Sequence, residues 1–209
     1  MKIYPMPVGD YQANCYILSI GSRALIVDPG DEANRIITYL ETNSLKPEAI
    51  LLTHGHFDHI GALEDIMKRY EIPVYSHILE KEYLTNKEFN LSFKAGREVI
   101  ELTDLSAVTF IEGDRVLHLM DTDIEVRHVP GHSSGSIAFY FAQTGIVLTG
   151  DALFKGSIGR TDLINGNMSQ LIDSVSTQLF SLPDDTIAYS GHGPATTIGD
   201  EIATNPFFN

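Results

Sequence analysis

Apolar residues in this chain come in short blocks bounded by glycine, proline and acidic residues, and the spacing inside the blocks changes along the sequence. "NCYILSI" (14–20) and "RALIVD" (23–28) read as two neighbouring strands joined by a turn at Gly21 and Ser22, and "DPGD" stops the second. The period then becomes helical. Asp31 is placed to cap a helix whose Ile36, Ile37 and Leu40 share a face, and "IGALEDIMKRY" spaces Leu63, Ile66, Met67 and Tyr70 three or four apart. In "NMSQLIDSVSTQLF", Leu171, Val175 and Leu179 recur every fourth residue behind an Asn167 cap. Strand blocks alternating with amphipathic stretches predict a layered α/β or α+β domain, and nothing repeats at a fixed interval. Residues 80–107 have weak periodicity and are expected to form a mobile surface segment.

The remaining strand blocks are informative for the residues at their ends. "AILLT" runs into His54, His56, Asp58 and His59; "IEVRHVPG" reaches His132; "GIVLTG" ends at Asp151; "DTIAYSG" ends at His192. Four strands thus deliver metal-ligand side chains at their ends, where sites in layered folds collect. Glycines 131, 150, 191 and 193 flank three of these positions and let the backbone turn sharply there.

Composition narrows the partners. The 209 residues suit one domain spanning 1–209 with a substantial core. Acidic residues outnumber basic ones 28 to 14, for a net charge of −14, so nucleic acid is a poor candidate partner. No apolar run approaches the roughly 20 residues that cross a bilayer. Cys15 is the one cysteine, the N-terminal stretch lacks a secretory apolar core, and the expected home is a reducing cytoplasm. Cys15 itself reads as a small buried hydrophobe, and His77, His118 and His128 as ordinary structural histidines. A monomer is expected, with Phe207 and Phe208 of "NPFF" free to tuck into a core.

Seven ligand-type residues are too many for one divalent ion, which takes three or four protein ligands and leaves a place for water in a catalytic site. They suit two ions, with one carboxylate shared between them. Imidazole and carboxylate without thiolate suit zinc, iron or manganese.

His54-x-His56-x-Asp58-His59, with His132, Asp151 and His192 far downstream, resembles the signature of the metallo-β-lactamase fold superfamily. Within it, "NCYIL", "VDPG", "THGHFDHIGA", "VPGHSSGSIAFY", "LTGDALFKGSIGRTDL" and "SGHGPATTIGDEIATNPFF" resemble short bacterial glyoxalase II-like hydrolases. The resemblance implies a four-layer αββα sandwich of the α+β class, with mixed sheets and helices on both outer faces. It also implies that His54, His56 and His132 hold a first metal, Asp58, His59 and His192 a second, and that Asp151 bridges. β-Lactamases of this fold lack the bridging aspartate, so Asp151 argues against antibiotic hydrolysis; flavodiiron proteins carry an acidic residue where His56 stands.

The reaction so implied is thioester hydrolysis, for example of S-lactoylglutathione. Two cations, zinc foremost, lower the pKa of a shared water, and the resulting hydroxide attacks the acyl carbonyl while Asp58 helps orient it. Asp28 of "VDPG" is a candidate for fixing the orientation of a ligand from behind, or else a turn residue before Pro29. Where long glyoxalase II enzymes have a lysine and a tyrosine for the thiol carrier, this chain has Arg160 and Asp162; Arg160 is favoured as a substrate contact over a surface pair with Asp162, and Lys155 is a weaker candidate. "GRTD" is shared with mononuclear iron persulfide dioxygenases, the rival enzyme class. A non-catalytic metal-binding protein is the third reading.

Overall fold

Blocks of β-branched and aliphatic residues become the strands of two six-stranded sheets, one in each of two units, Met1–Ile111 and Glu112–Asn209. The computed structural model describes residues 1–95 and 99–208. In the first unit β1 (Lys2–Val8), β2 (Ala13–Ile20) and β3 (Arg23–Val27) form an antiparallel meander. Then come α1 (Ala33–Thr42), β4 (Lys46–Leu51), α2 (Phe57–Ile60), α3 (Leu63–Tyr70), β5 (Val74–His77), α4 (Lys81–Thr85) and β6 (Val108–Ile111). Strands β3 to β6 are mutually parallel, so their carboxyl ends share one edge of the sheet. That edge carries Asp28 after β3 and the histidine-rich loop after β4. Ile36 and Leu40 of α1 and Leu63 and Ile66 of α3 pack with Ile17, Ile26 and Ile50 of the strands in one apolar cluster.

The second unit contains β7 (Arg115–Leu119), β8 (Thr122–His128), β9 (Ile137–Phe141), β10 (Ile146–Gly150), the short hairpin β11 (Leu153–Phe154) and β12 (Ser157–Ile158), α5 (Met168–Ser174), β13 (Ile187–Ser190), β14 (Thr196–Thr197) and α6 (Ile198–Thr204). Its sheet runs β14-β13-β10-β9-β8-β7. Because β9 is antiparallel to both β8 and β10, and β13 is parallel to β10, strands β8, β10 and β13 all point the same way. His132, Asp151 and His192 come just after their carboxyl ends. Leu171 of α5, and Val175 and Leu179 of the π-helical turn Val175–Leu179 that continues it, are buried in this unit's core. Asn167 caps the helix as the spacing predicts, its side chain accepting from the Gln170 amide at 3.0 Å.

Three expectations change. The first helix starts later than Asp31: Glu32 stands at the cap in a left-handed conformation with no side-chain capping bond, while Asp31 accepts from the Glu32 amide at 2.7 Å. Among the described residues of 80–107, Tyr83, Leu84, Asn90, Ser92 and Leu102 are buried, so this segment is not confined to the surface. Two of those five are polar and no helical period links them, which is why apolar patterning misses the packing; residues 96–98 lie outside the described residues. The C-terminal phenylalanines divide, with Phe208 edge-on to Phe180 at 4.6 Å and Phe207 exposed.

Candidate metal centre

In the first unit the chain leaves β4 and at once presents His54, His56, Asp58 and His59, of which the three histidines are buried. The His54 ring lies edge-on to His56 at 4.8 Å and tilted to His59 at 4.2 Å. Ligand atoms of His54 and His56 lie within 4.8 Å of each other, as do those of Asp58 and His59.

Asp28 sets the direction of two of these rings. It is almost fully buried and in the left-handed region, φ 49°. Its carboxylate accepts the Thr53 amide (2.8 Å), the Thr53 hydroxyl (2.6 Å) and the His59 Nδ1–H (3.0 Å). Since the Thr53 hydroxyl gives its only proton to Asp28, it accepts from His54 Nδ1 at 3.1 Å. Both imidazoles are therefore protonated on Nδ1 and turn an Nε2 lone pair forward, the arrangement a metal requires of its histidines. The turn-residue alternative for Asp28 does not account for these bonds. Asp28 also lies within ligand distance of His54 and His59, but its oxygens already serve these donors.

A glycine of the same "VDPG" stretch sets the position of Asp58. A Cβ on Gly30 would lie 1.6 Å from the Asp58 carbonyl oxygen, so only glycine lets the turn after β3 press against α2.

In the second unit Asp151 Oδ2 is 3.6 Å from His132 Nε2 and 3.6 Å from His192 Nε2. That is too long for a hydrogen bond. It is close to the roughly 3.4 Å between two ligands about 2.1 Å from one tetrahedral cation. His132 Nδ1 donates to the Arg160 carbonyl at 2.8 Å, so its Nε2 also keeps the lone pair. Gly159 closes this half: a Cβ there would meet the Asp151 carbonyl oxygen at 1.8 Å and His132 Nδ1 at 3.1 Å. Phe154 of the β11–β12 hairpin packs edge-on to His192 at 6.1 Å.

Hydrogen bonds thus fix the tautomers of His54 and His59 in the first unit and of His132 in the second, and the imidazole and carboxylate donors of both units suit divalent cations. The substrate candidates are placed differently. Arg160 is exposed, and its guanidinium is engaged by Asp162 through Nε–Oδ1 (2.8 Å) and Nη2–Oδ2 (2.9 Å). This is the surface pair over which the resemblance favoured a substrate contact. Adjacent opposite charges two residues apart close such a fork locally, a contact that spacing alone does not rank. Lys155 stands exposed at the tip of the β11–β12 hairpin. His118 pairs with Asp123 at 2.9 Å on the surface, His128 Nε2 lies 3.0 Å from the Ser134 carbonyl, and His77 accepts from the Leu79 amide at 3.3 Å. Burial pushes the Cys15 thiol far up, with Asp28 adding to the effect, so Cys15 is no nucleophile.

The family described as the metallo-beta-lactamase superfamily matches residues 8–192, nearly the whole chain. The chain belongs to that superfamily. It has the metallo-β-lactamase fold, with two mixed sheets plus helices. "Probable metallo-hydrolase YqgX" of Bacillus subtilis is 45% identical over 100% of this chain and 98% of its own length. "Hydroxyacylglutathione hydrolase GloC" of Haemophilus influenzae is 36% identical over 100% of this chain and 99% of its own. Among solved structures, the B3 metallo-beta-lactamase BLEG-1 superposes with a TM-score of 0.95 at 39% identity, covering 100% of both chains. TTHA1623 in a di-iron-bound form superposes at 0.86 with 38% identity, covering 98% of this chain and 99% of that one.

Thr53, Gly30 and Gly159 are among the supporting residues that sequence reasoning missed. A glycine within two positions of Asp28 and another eight after Asp151 were visible, but the close approaches that require them are tertiary.

Proposed function

We propose that this metallo-β-lactamase superfamily chain is a dinuclear metal-dependent hydrolase of acyl thioesters, acting on a small-molecule thioester as a cytoplasmic monomer whose 209 residues work as one domain. The observation that carries it is Asp151, with one carboxylate oxygen equidistant from a nitrogen of His132 and a nitrogen of His192, which suits a carboxylate shared by two ligand sets. In this reading His54, His56 and His132 would hold one ion, Asp58, His59 and His192 the other, and Asp151 would serve both. The similarity to the hydroxyacylglutathione hydrolase of Haemophilus influenzae supports a thioester, and the di-iron form of TTHA1623 supports two metals, with zinc, iron and manganese all compatible with the donors.

Two such cations, when bound, supply a water ionised at neutral pH and a Lewis acid for the acyl oxygen. The chain supplies the rest. Asp28 and the Arg160 carbonyl keep the Nδ1 protons of His59 and His132 in place, so the opposite nitrogens stay available. In this reading Asp58, beside its part in holding the second ion, would help to orient the attacking oxygen. A thiolate leaves without a strong general acid, and no such acid is assigned. The Arg160–Asp162 pair engages Nε and Nη2 of the guanidinium, so a carboxylate on the thiol carrier would either meet its Nη1 side or displace Asp162.

The similarity to BLEG-1 makes β-lactam hydrolysis the second reading, because a chain 39% identical over its full length is a B3 metallo-beta-lactamase despite the argument from Asp151. The deciding experiment combines elemental analysis with turnover of S-lactoylglutathione, a panel of acyl thioesters, a chromogenic cephalosporin and glutathione persulfide. Two ions per chain and thioester turnover are expected. Turnover of the cephalosporin alone replaces the proposal with a β-lactamase, and one iron with oxygen uptake on the persulfide replaces it with a dioxygenase.

A further inference from the structure

The segment after β5, which carries no apolar period, holds a glutamate that the reaction above leaves without a role. Glu80 is completely buried. It occupies the N-cap position of α4 yet makes no capping bond; its Oε2 instead accepts the Gly55 amide at 2.7 Å. Gly55 lies between His54 and His56. A Cβ on Gly55 would stand 2.5 Å from Tyr83 Cβ and 3.1 Å from Glu80 Oε2, so the loop is pressed onto this segment at the one residue that permits it. The Tyr83 ring lies edge-on to His56 at 5.6 Å. The Asn90 carbonyl accepts the Phe57 amide at 2.9 Å, and the Asn90 side chain ties back to the carbonyls of Tyr83 (2.9 Å) and Ile100 (2.8 Å). The backbone from Gly55 to Phe57 is thus gripped by an acidic side chain, a ring and a carbonyl, all from residues 80–90.

We propose that Glu80 is a positioning residue for the metal loop, its buried carboxylate fixing the Gly55 amide so that His54 and His56 face one cation together. Burying a carboxylate is costly unless strong hydrogen bonds offset it, and an apolar side chain would serve packing alone at least as well. A charge-assisted bond to a backbone amide is short and directional, which suits a part whose task is geometry. Tyr83 and Asn90 complete the cradle. The inference rests on His54 and His56 being metal ligands, and it concerns their placement rather than the reaction.

The test uses the full chain, wild type and Glu80→Gln, Glu80→Asp and Glu80→Ala, with surface Glu82→Gln as the control. Two readouts are taken: the Gly55 amide proton by NMR in metal-free protein, and zinc affinity by competition with a chromogenic chelator. The wild-type Gly55 amide is expected far downfield and slow to exchange. Glu80→Gln, which keeps an acceptor oxygen, retains the bond and most of the affinity. Glu80→Asp withdraws the carboxylate by one methylene, loses the downfield signal and weakens zinc binding roughly 10- to 100-fold, as loss of a ligand's supporting partner does. Glu80→Ala behaves like Glu80→Asp where it folds. With zinc saturating, kcat returns while KM stays at the wild-type value.

Wild-type zinc affinity in a folded Glu80→Asp protein, or an affinity in Glu80→Gln as poor as in Glu80→Asp, overturns the inference. If the wild type binds no metal, the dinuclear reading fails and this one with it. If the wild type holds two ions and Glu80→Asp is indistinguishable from it, this inference alone is wrong.

Discussion

Two regions carry the candidate ligands, and they are built on opposite plans. After β4, four of the seven fall within six consecutive residues, held from behind by carboxylates, Asp28 on the histidine rings and Glu80 on the backbone. In the second unit, three single ligands stand at the ends of three parallel strands far apart in sequence, held by a backbone carbonyl and by glycine contact. One region concentrates its chemistry locally and needs buried acidic braces to separate the rings. The other obtains its geometry from strand register and needs little besides close approach. The difference teaches where each half is fragile: the first at its braces, the second at its backbone.

The largest effect tests the second region at its centre. Asp151→Ala is expected to abolish hydrolysis and to lower the bound metal to one ion per chain or fewer by elemental analysis; two ions and retained turnover would remove Asp151 from the shared position. Next come the glycines, one in each region. Gly30→Ala and Gly159→Ala both force backbone overlap, and each is expected to cost about 3 kcal/mol, seen as a Tm lower by roughly 6–12 °C in a chain of this size. Equal losses would show that close approach matters as much in the braced region as in the other.

A smaller effect separates the two plans. Asp28→Asn leaves the fold intact but weakens the hold on His59 and Thr53, and metal affinity is expected to fall roughly 10- to 100-fold. Measured by chelator competition, an unchanged affinity would mean that the loop needs no brace. The smallest effect is at the surface. Asp162→Ala is expected to leave metal content unaltered and to change Tm by no more than about a degree, as exposed pairs do. The hydrogen bonds from Arg160 hold the Asp162 carboxyl down to about 2, below its ordinary value. The pair is therefore complete above about pH 4 and is lost as the pH falls toward 2. If Arg160 touches a carboxylate-bearing substrate only after displacing Asp162, Asp162→Ala lowers KM for that substrate and leaves kcat alone, a steady-state measurement that a purely structural pair would not satisfy.

The legibility of the two regions reflects the same contrast. The loop after β4 announces itself because ligand residues crowd a short stretch, and the strands before it show as plain apolar runs. His132, Asp151 and His192 are visible only as strand-end residues, and their grouping required the parallel course of β8, β10 and β13. Helix α5 was readable from its period and its asparagine cap, whereas the start of α1 shifted by a residue because Asp31 turned to its neighbour's amide. Residues 80–90 were opaque. Their contribution is a buried acid, a ring and a carbonyl aimed at another segment, none of which leaves a periodic trace.

By itself the sequence determined the chemistry available to this protein: which donors exist, that they come after strands, and that sulfur takes no part. Ligand identity and strand propensity are properties of residues and their near neighbours, so they can be read along the chain. The tertiary structure decided which nitrogen of His54, His59 and His132 faces forward, that the fork of Arg160 closes on Asp162, and that Glu80 reaches Gly55 across 25 positions. Those outcomes depend on contacts between segments distant in sequence, where a few tenths of an ångström separate a hydrogen bond from a clash.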